Sequence, residues 1–391
     1  MNTSAERNLV ALPLAEVDHG NINRICRALA EGFRQCGLEP AIIDYREPGE
    51  APIRRLEHLV SSGRVLAIMA LNAVGFPLTV HDLIARQEVQ LFVYGMDHPC
   101  HLYPLMEAAP AGTMLSFPSV SNVDCCRGWG LDLFDFVHVA HGAEPRPPTA
   151  WADRGIPLLL VGNLSQSAAQ LRAVWATRGP EIPVLEAMAD MLYDRGAPTL
   201  EGLCQRALAA TKNSDGPLSE PRAIAKMLRY FDPYARALMR EGMLQGLAGL
   251  PLTVVGDWSG LGADVPDTVH FTGPLDATAV QDLAEHAQCI VDTTPTYYSS
   301  HERLFEGLAG GSLVAMIGQT DFDDLNACGA LIQANRLDHL ADQMARLLDG
   351  GEDLAQRADA GRAAVLHDHT WTSRARCIKD ALCGVMAPPR S

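Results

Sequence analysis

Two polar segments of this 391-residue chain carry side chains that could do chemistry. The first is Asp97-His98-Pro99-Cys100-His101, in which a carboxylate and two imidazoles follow an apolar run. Such groups transfer protons near neutral pH and bind metal ions. The second runs from Ser299 to Glu306, where hydroxyl, imidazole, guanidinium and carboxylate groups crowd the start of a predicted helix. The unpaired N–H groups and the positive dipole end at a helix start suit a phosphate.

Apolar runs place both segments next to predicted parallel strands. Residues 89–94 lead into the first segment, and residues 288–292 and 313–317 flank the second. Apolar, β-branched runs of this length are typical of strands buried on both faces. Between the last two runs, Leu304 and Leu308 are four residues apart, as on the inward face of an amphipathic helix. The second segment is therefore predicted to be a polar loop and a short helix between two strands.

Apolar runs alternate with helical patterns through the first 145 residues. Six of these runs are predicted strands, namely residues 8–14, 40–45, 65–71, 89–94, 113–117 and 136–140. This alternation predicts a Rossmann-like α/β domain with a parallel sheet. Three prolines in residues 142–149 then mark a linker.

The α/β pattern continues after the linker. Further strands are predicted in residues 156–165, 252–258, 269–273, 289–292 and 313–317, and the chain closes with helices from about 336 to 385. We therefore predict a first domain over residues 1–145, a linker over 146–155 and a second domain over 156–368, with a helical elaboration at 166–247. A C-terminal helix is expected within residues 369–391.

Composition excludes several classes of protein. Lys and Arg number 31 against 47 Asp and Glu, and the resulting net charge of −16 disfavours a nucleic-acid partner. The N-terminus lacks a basic start and a long apolar centre, so we expect a cytoplasmic protein without a secretion signal or transmembrane segment. The ten cysteines form no Cys-x-x-Cys pair, which favours buried thiols over disulfides.

The segment around Glu306 resembles the donor-binding segment of GT-B glycosyltransferases, which commonly reads Arg-x-Phe-Glu-x-x-Ala-x-Gly before a strand. The matching positions are Arg303, Phe305, Glu306, Ala309 and Gly311. In that family the Glu accepts hydrogen bonds from the ribose of a nucleotide sugar, and the loop and helix start hold its phosphates. The resemblance therefore implies donor binding by Ser300, His301, Arg303 and Glu306.

The resemblance extends over the second half of the chain. Residues 158–167, 251–258 and 269–276 are similar to strands and turns of a GT-B donor domain. Residues 367–382 resemble the final helix of the spore-maturation glycosyltransferase-like family, and residues 93–101 and 137–145 resemble short strand ends of the same family. The resemblance implies two Rossmann-like domains facing a cleft, with the last helix crossing back to the first domain.

The resemblance also implies roles for the first polar segment. Inverting glycosyl transfer needs a base for the acceptor proton, and Asp97 is the first candidate, followed by His98 and then His19. A metal site formed by Asp97, His98 and His101 is the rival interpretation. Pro99 keeps the two histidines off one regular helix face, and no fourth ligand lies nearby, so we expect no metal.

Four residues of the first domain, His19 among them, are expected at the cleft, with structural alternatives left open. Asp18, His19 and Asn21 follow the first strand and could contact the acceptor, or Asp18 or Asn21 could cap the next helix. His141 ends the last strand of the domain. An isolated histidine of this kind is more often a hydrogen-bonded structural residue.

In the second domain, a strand-end turn and an aromatic residue are candidates for donor binding. Gly162, Asn163 and Ser165 could approach a diphosphate through backbone N–H groups. Trp258, with residues 271–274, could wall a nucleobase pocket or belong to the core. Arg303 could neutralise the leaving diphosphate, or it could pair with Glu302 or Glu306.

These features favour a glycosyltransferase that moves a sugar from a nucleotide diphosphate sugar to an unknown acceptor. We expect no cofactor and no metal, since the helix start and nearby cations could stabilise the leaving group. Two alternatives remain open, a nucleotide-sugar epimerase of similar fold and a noncatalytic protein that binds sugar nucleotides.

Overall fold

The computed structural model describes residues 7–15, 21–72, 89–131, 134–192, 199–261, 267–298, 301–350 and 353–384. The chain divides into two compact units. The first comprises Met1–Glu144 with His369–Ser391, and the second comprises Pro145–Asp368. Among the described helices, none combines the length and the apolar character needed to cross a membrane.

Each unit is built on a parallel sheet of six strands. The first sheet consists of β1 Leu9–Leu14, β2 Glu39–Asp44, β3 Val65–Leu71, β4 Gln90–Tyr94, β5 Met114–Phe117 and β6 Asp135–His138. The second consists of β7 Ile156–Val161, β8 Leu252–Val255, β9 Val269–Gly273, β10 Ala287–Val291, β11 Leu313–Ile317 and β12 Leu331–Ala334. The strand orders are β2-β1-β3-β4-β5-β6 and β12-β11-β10-β7-β8-β9.

Helices connect the strands, as parallel pairing requires. In the first unit they are α1 Asn21–Gln35, α2 Ala51–Ser61, α3 Pro99–Ala108 and α4 Val120–Gly128. The second unit begins with an elaboration made of α5 Ala168–Val174, α6 Ile182–Met191, α7 Leu200–Ala210 and the long α8 Pro221–Leu247. It continues with α9 Ala277–Glu285, α10 Glu302–Ala309, α11 Asp323–Ala327, α12 Leu337–Leu348 and α13 Leu354–Asp368, after which α14 Trp371–Leu382 belongs to the first unit.

The core of the first unit lies between its sheet and the helices α1 and α14. Ile25, Leu29 and Phe33 on α1 are fully buried, and Ile378 on α14 joins the same cluster. Burying one such side chain stabilises the fold by roughly 1.5–3 kcal/mol. Gly32 allows the two helices to approach, because a Cβ there would lie 2.9 Å from the Cβ of Ala375. The C-terminal helix is thus part of the first unit's core.

Both strand orders contain a point where the chain switches direction across the sheet. In the first sheet it lies between β1 and β3, and in the second between β7 and β10. Ligands of open α/β sheets bind outside the carboxyl ends of the strands at such points. The second order matches that of dinucleotide-binding Rossmann folds.

The prediction of a parallel α/β fold with two Rossmann-like halves is confirmed. All six strands predicted for the first unit are present, with ends that differ by at most two residues. In the second unit β12 was not predicted. It has only four residues, and Gln333 interrupts its apolar run.

Candidate functional site

The loop after β10 begins with a buried carboxylate. Asp292 is 1% exposed, and its Oδ1 accepts hydrogen bonds from the backbone N–H and the hydroxyl of Thr294, at 3.0 and 2.6 Å. Burial raises the pKa of Asp292, although the Thr294 hydroxyl and Arg303 act in the opposite direction. The turn is therefore fixed at the switch point of the second sheet.

Helix α10 follows this loop and carries two of the predicted donor-binding residues. Leu304, Phe305 and Leu308 form its buried face, whereas Arg303 and Glu306 are half-buried. His301 caps the helix, because its Nδ1 accepts from the backbone N–H of Arg303 at 3.4 Å. The predicted helix start is thus present, and its imidazole serves as the cap.

The other end of α10 is fastened by a buried arginine. Arg154 is 4% exposed and donates to the carbonyl of Gly310 at 2.5 Å and to the carbonyl of Ala287 at 2.8 Å. Cations near the last turn of a helix also interact favourably with its dipole. The position of α10 is thereby set from both ends.

A second arginine reaches the switch point from the long helix α8. The Nη1 of Arg240 donates to the carbonyl of Asn163 at 2.6 Å, in the turn after β7. Its Nε is buried and has no hydrogen-bond partner among the described residues. Burial, together with the charges of Arg303 and Arg236, lowers the pKa of Arg240 to about 10. Arg240 therefore lies close enough to Arg303 and to Arg236 to be repelled by both.

Two further hydrogen-bond donors at this point have no partner among the described residues. The Arg303 guanidinium makes no hydrogen bond or ion pair with any residue in the described parts of the chain, so the alternative of a pair with Glu302 or Glu306 is not realised there. Thr293 is 2% exposed, and its hydroxyl is buried without a described partner. Buried polar groups in proteins are nearly always hydrogen-bonded, so the buried Thr293 hydroxyl and Arg240 Nε are available to a ligand, whereas Arg303 is half-buried and accessible to solvent.

The turns after β7 and β8 are joined to each other. Leu164 donates its N–H to the carbonyl of Asp257 at 2.5 Å, and the N–H of Asp257 donates to the Oδ1 of Asn163 at 2.9 Å. Gly256 has a φ of +123°, and a Cβ there would lie 2.0 Å from the carbonyl oxygen of Gly162. Only glycine fits this contact.

This pairing limits the hydrogen-bond donors that the turn of Gly162, Asn163 and Ser165 has available for a phosphate. The N–H of Gly162 donates to the carbonyl of Val255 at 3.0 Å and is therefore used within the protein. The Asn163 side chain is used in the same way, whereas Ser165 is exposed. What approaches the switch point beside Gly162 is the side chain of Arg240, whose Nε would lie 3.2 Å from a Cβ at that glycine.

The predicted aromatic wall has one buried and one open member. Trp258 is 8% exposed, and its Nε1 donates to the carbonyl of Val255 at 3.4 Å. Phe271 is 37% exposed and meets the Trp258 ring edge-on, with centroids 6.2 Å apart. Trp258 therefore packs mainly in the core, and Phe271 presents the accessible apolar surface.

In the first unit, Asp97 is held by an asparagine of the neighbouring strand end. The Nδ2 of Asn72 donates to the Oδ2 of Asp97 at 2.8 Å, and its Oδ1 accepts from the backbone N–H of Met96 at 2.6 Å. Asn72 has a φ of +48°, a conformation that asparagine tolerates better than most residues. The carboxylate is thus oriented at the carboxyl ends of β3 and β4.

The two histidines of this segment differ from Asp97 in their setting. His98 is 1% exposed and caps helix α3, with its Nδ1 accepting from the N–H of Cys100 at 3.3 Å. That nitrogen is occupied within the protein. His101 lies in the first turn of α3 and is half-buried.

His141 is a buried residue whose pKa is far below the ordinary value for histidine. Burial and the nearby charge of Arg374 lower the pKa of His141 to about 4, although Asp97 acts in the opposite direction. Arg374 also donates to the backbone carbonyl of His141 at 2.8 Å, and the hydroxyl of Tyr94 lies 3.5 Å from its Nδ1. The imidazole is therefore neutral at physiological pH.

Several predicted residues receive no structural placement or a limited one. Asp18, His19 and Ser300 lie outside the described residues. Asn21 is the first residue of α1, and its Oδ1 accepts from Arg24 at 2.8 Å. In the described chain it is Asn23 that fixes the end of β1, through paired hydrogen bonds of 3.0 and 2.8 Å with Ala15.

One acidic motif bears on the expectation of a metal-independent reaction. Asp321-Phe322-Asp323 is an Asp-x-Asp sequence, a pattern that supplies metal ligands in the other large glycosyltransferase fold, and the expectation of metal independence wrongly took the chain to contain none. Both carboxylates are exposed after β11, and Phe322 packs on Phe305. Within the described residues no third His, Cys, Asp or Glu joins them as a ligand.

A cavity elsewhere in the first unit does not coincide with the candidate residues. It measures about 580 Å³ and is lined by residues that include Met114, Asp135 and Arg127. Met114 and Asp135 are the first residues of β5 and β6, so the cavity lies at the amino ends of the strands. Ligands of this fold class bind at the opposite edge.

Arg236 and Arg240 are the functional candidates that sequence reasoning missed. They stand one turn apart on α8, inside a segment interpreted only as a helical elaboration. Arg240 lies 77 residues from its partner Asn163, so no local motif joins them. The available signal was a pair of arginines four residues apart that follow Asp232 at the same spacing.

Comparisons with known proteins agree with this architecture. A family model described as glycosyl transferase-like matches residues 236–380, which include Arg236, Arg240 and the whole of α10. No curated protein resembles the chain closely enough in sequence to count as a relative.

Two solved structures have the same fold over nearly the whole chain. Sucrose-phosphate synthase from Thermosynechococcus elongatus is 12% identical with a TM-score of 0.55, covering 97% of this chain and 99% of its own. HepE from Anabaena, solved with UDP and glucose, is 11% identical with a TM-score of 0.54, covering 96% of this chain and 99% of its own. These structures confirm the prediction of a GT-B fold, and the family model confirms the prediction of a glycosyltransferase.

Proposed function

We propose that this glycosyltransferase takes its sugar from a nucleotide diphosphate donor bound at the carboxyl ends of β7 and β10. The observation that carries the proposal is a set of donors there, formed by the buried Arg240 Nε and Thr293 hydroxyl, which have no partner among the described residues, and by the half-buried Arg303 guanidinium. The start of α10 adds the positive end of a helix dipole beside Arg303.

Charge supports a diphosphate as the ligand. Arg240 and Arg303 repel each other across the switch point, within a chain whose net charge is −16. An anion with two phosphate groups would relieve this repulsion and complete the hydrogen bonds that the Arg240 Nε and the Thr293 hydroxyl lack. Charge-assisted hydrogen bonds of this kind are about twice as strong as neutral ones.

The remaining parts of the donor fit the neighbouring residues. Glu306 lies one turn along α10 from Arg303 and is assigned to the ribose hydroxyls, as in the family that its segment resembles. The exposed ring of Phe271 offers an apolar surface for the base. Because Anabaena HepE binds UDP and glucose on the same fold, UDP-glucose is the first donor to test.

In the reaction, an acceptor hydroxyl attacks the anomeric carbon of the sugar as the bond from that carbon to the diphosphate oxygen breaks. The nucleoside diphosphate leaves with added negative charge, which Arg240 and Arg303 stabilise without a metal ion. Asp97 takes the proton of the acceptor hydroxyl, and Asn72 holds its carboxylate in one orientation. The acceptor itself is left open.

Within the glycosyltransferases, we place the chain near the spore-maturation family on its sequence motifs. The His-Thr-Trp step at residues 369–371 precedes a helix that carries Arg374, as in that family's final helix. In this chain that arginine donates to the carbonyl of His141 and contacts His369 at 2.7 Å.

Calorimetry with a panel of UDP, GDP, dTDP and CMP tests the proposed donor site. One nucleotide should bind the unmutated protein, and at a hundred times its Kd it should raise the free energy of unfolding by about 2.7 kcal/mol. Arg240→Met should weaken binding at least tenfold, because a charge-assisted hydrogen bond is lost. Arg336→Met is the matched control, since Arg336 is exposed and pairs with Asp338 on the same unit.

Two outcomes would contradict the proposal. The phosphate site is absent if no nucleotide of the panel binds, and it is elsewhere if Arg240→Met and Arg303→Met both bind with the original affinity. With the donor bound, formation of an epimer without an acceptor would favour the epimerase alternative. Binding without hydrolysis or transfer over many acceptors would favour the noncatalytic one.

A further inference from the structure

A buried carboxylate on α8 lies one turn before Arg236 and has a role that the donor site does not yet include. Asp232 is 1% exposed. Its Oδ2 accepts from the Nε of Arg236 at 2.8 Å. A buried carboxylate persists only when it is paired and hydrogen-bonded, so the contacts of Asp232 show what it organises.

Those contacts lead to the loop that precedes α10. The hydroxyls of Tyr297 and Tyr298 both donate to the Oδ1 of Asp232, at 2.8 and 3.2 Å. Arg236 closes the ring, because its Nη2 donates to the hydroxyl of Tyr298 at 2.7 Å and its guanidinium lies 5.0 Å from the centre of that ring. Asp232 and Arg236 together therefore join the long helix to the loop through three hydrogen bonds.

The loop is anchored by a buried carboxylate at each end. Asp292 fixes its first turn through Thr294, and Asp232 fixes its last described residues through the two tyrosines. Thr293, one of the unsatisfied donors, lies between these anchors, and α10 begins shortly after them. A shift of the loop would move the Thr293 hydroxyl and the helix start together.

Charge separates Arg236 from the two other arginines. Arg236 has its countercharge in Asp232, whereas Arg240 has no ion pair and hydrogen-bonds only a carbonyl among the described residues. Asp232 also acts on Arg240, since its charge raises the pKa of that group against the effects of burial and of Arg303. Arg240 and Arg303 are therefore the two guanidinium groups here that make no ion pair with a described carboxylate.

We infer that Asp232 is a positioning residue for donor binding. It sets the geometry of the phosphate site by holding Arg236 and the loop that carries Tyr297 and Tyr298. The inference rests on the proposed donor site. It gives Arg236 a structural role and reserves direct contact with the diphosphate for Arg240 and Arg303.

The test compares how substitutions change binding of a nucleoside diphosphate and of its monophosphate. The probes are UDP and UMP, or the corresponding pair for whichever of GDP and dTDP the unmutated protein binds more tightly. Asp232→Asn should weaken UDP binding about tenfold, the effect of losing a charge-assisted hydrogen bond within the site. UMP binding should change less than twofold, because UMP carries one phosphate group fewer for Arg240 and Arg303 to bind.

A lower stability alone would not produce this selectivity. Asp338→Asn is the control, since it also removes a carboxylate paired with an arginine but lies on the exposed surface. If Asp232→Asn does not fold, Tyr298→Phe replaces it, because it deletes only the hydroxyl that bonds Asp232 and Arg236. Tyr298→Phe should also weaken UDP binding more than UMP binding.

The outcomes separate this inference from the proposed donor site. Unchanged UDP affinity in Asp232→Asn, or in both Tyr297→Phe and Tyr298→Phe, would overturn the positioning role, while a loss in Arg240→Met would still support the donor site. Equal losses for UDP and UMP would likewise overturn it. If the unmutated protein binds no nucleotide, the donor site itself fails.

Discussion

The polar groups at the strand ends of the two sheets differ in whether they are hydrogen-bonded within the protein. In the first unit, Asn72 and Asp97 bond each other and His98 caps a helix. In the second unit, the Arg240 Nε and the Thr293 hydroxyl are buried without partners in the described chain. The Asp97 carboxylate is thus already hydrogen-bonded within the protein, whereas the Arg240 Nε and the Thr293 hydroxyl have no partner among the described residues. Under the proposed function, this difference favours donor binding over acceptor binding as the step that gains electrostatic stabilisation.

The largest expected effect tests whether the completed arrangement of the first unit is catalytic. Asp97→Asn keeps the shape and removes the basicity, so turnover should fall by about 100-fold or more while donor affinity stays near its original value. Steady-state kinetics and calorimetry measure the two quantities. Asp124→Asn, at an exposed position of the same unit, is the control.

His98 sharpens this test. His98→Ala should reduce turnover less than Asp97→Asn, since its imidazole is buried as a helix cap. A larger loss in His98→Ala, with Asp97→Asn nearly silent, would assign the base to the imidazole. If neither variant loses turnover, His19 and then His141 become the candidates.

The next effect concerns the stability of the first unit at low pH. The pKa of His141 is about 4 in the folded protein against an ordinary value of 6.5, so below pH 6.5 the unfolded chain binds a proton that the folded chain does not. The free energy of unfolding should therefore fall as the pH drops from 6.5 to 4, by about 3 kcal/mol from this residue. Denaturant titrations across that range measure the fall.

A variant identifies the source of this pH dependence. His141→Gln keeps a polar amide but does not titrate, so its stability should fall less over the same range. The charged and polar groups around the imidazole or its partners are the same in the unmutated protein and in His141→Gln. They are Asp97, Arg374, His369 and Tyr94. An equal slope in the two proteins would exclude His141 as the cause.

A smaller effect tests the ribose assignment in the second unit. Glu306→Ala should weaken nucleotide binding by about 1.5–3 kcal/mol and leave the fold intact, because a charge-assisted hydrogen bond to the ribose is lost. Calorimetry measures the affinity, and thermal unfolding checks the fold. Unchanged affinity in a folded variant would remove Glu306 from the site.

The smallest effect is expected on removing metal ions. Donor binding and turnover should survive EDTA, since the arginines and the start of α10 supply the positive charge. Activity lost to EDTA and restored by manganese or magnesium would contradict this. Asp321→Asn with Asp323→Asn would then show whether the Asp-x-Asp sequence holds the ion.

Sequence reasoning located the frame of the fold better than its chemistry. The parallel strands were predictable because each is a short apolar run bounded by turn residues, as at Val65–Leu71. Strand β12 was missed, since a four-residue edge strand that contains Gln333 has little pattern. A buried strand has an apolar run that can be recognised from the local sequence, whereas a short edge strand has no such run.

The residues of the candidate site that could be predicted are those that lie close together in the sequence. Arg303 and Glu306 stand in one motif on one helix, so their type and spacing could be read directly. Arg240 and Asp232 approach from α8, and only tertiary packing brings Asp232 to Tyr297, which is 65 residues away. Neither the spacing nor the composition of a long amphipathic helix reveals which of its polar residues face a site.

The arginine that fastens the end of α10 has a consequence for the thermodynamics of ligand capture. Because Arg154 holds the carbonyls of Gly310 and Ala287, the helix that carries Arg303 and Glu306 is already immobilised before any donor arrives. A site assembled on a rigid element loses little conformational entropy when it is occupied. Most of the favourable contact enthalpy with a nucleotide would then remain as affinity, and the residence time of the donor would depend on those contacts.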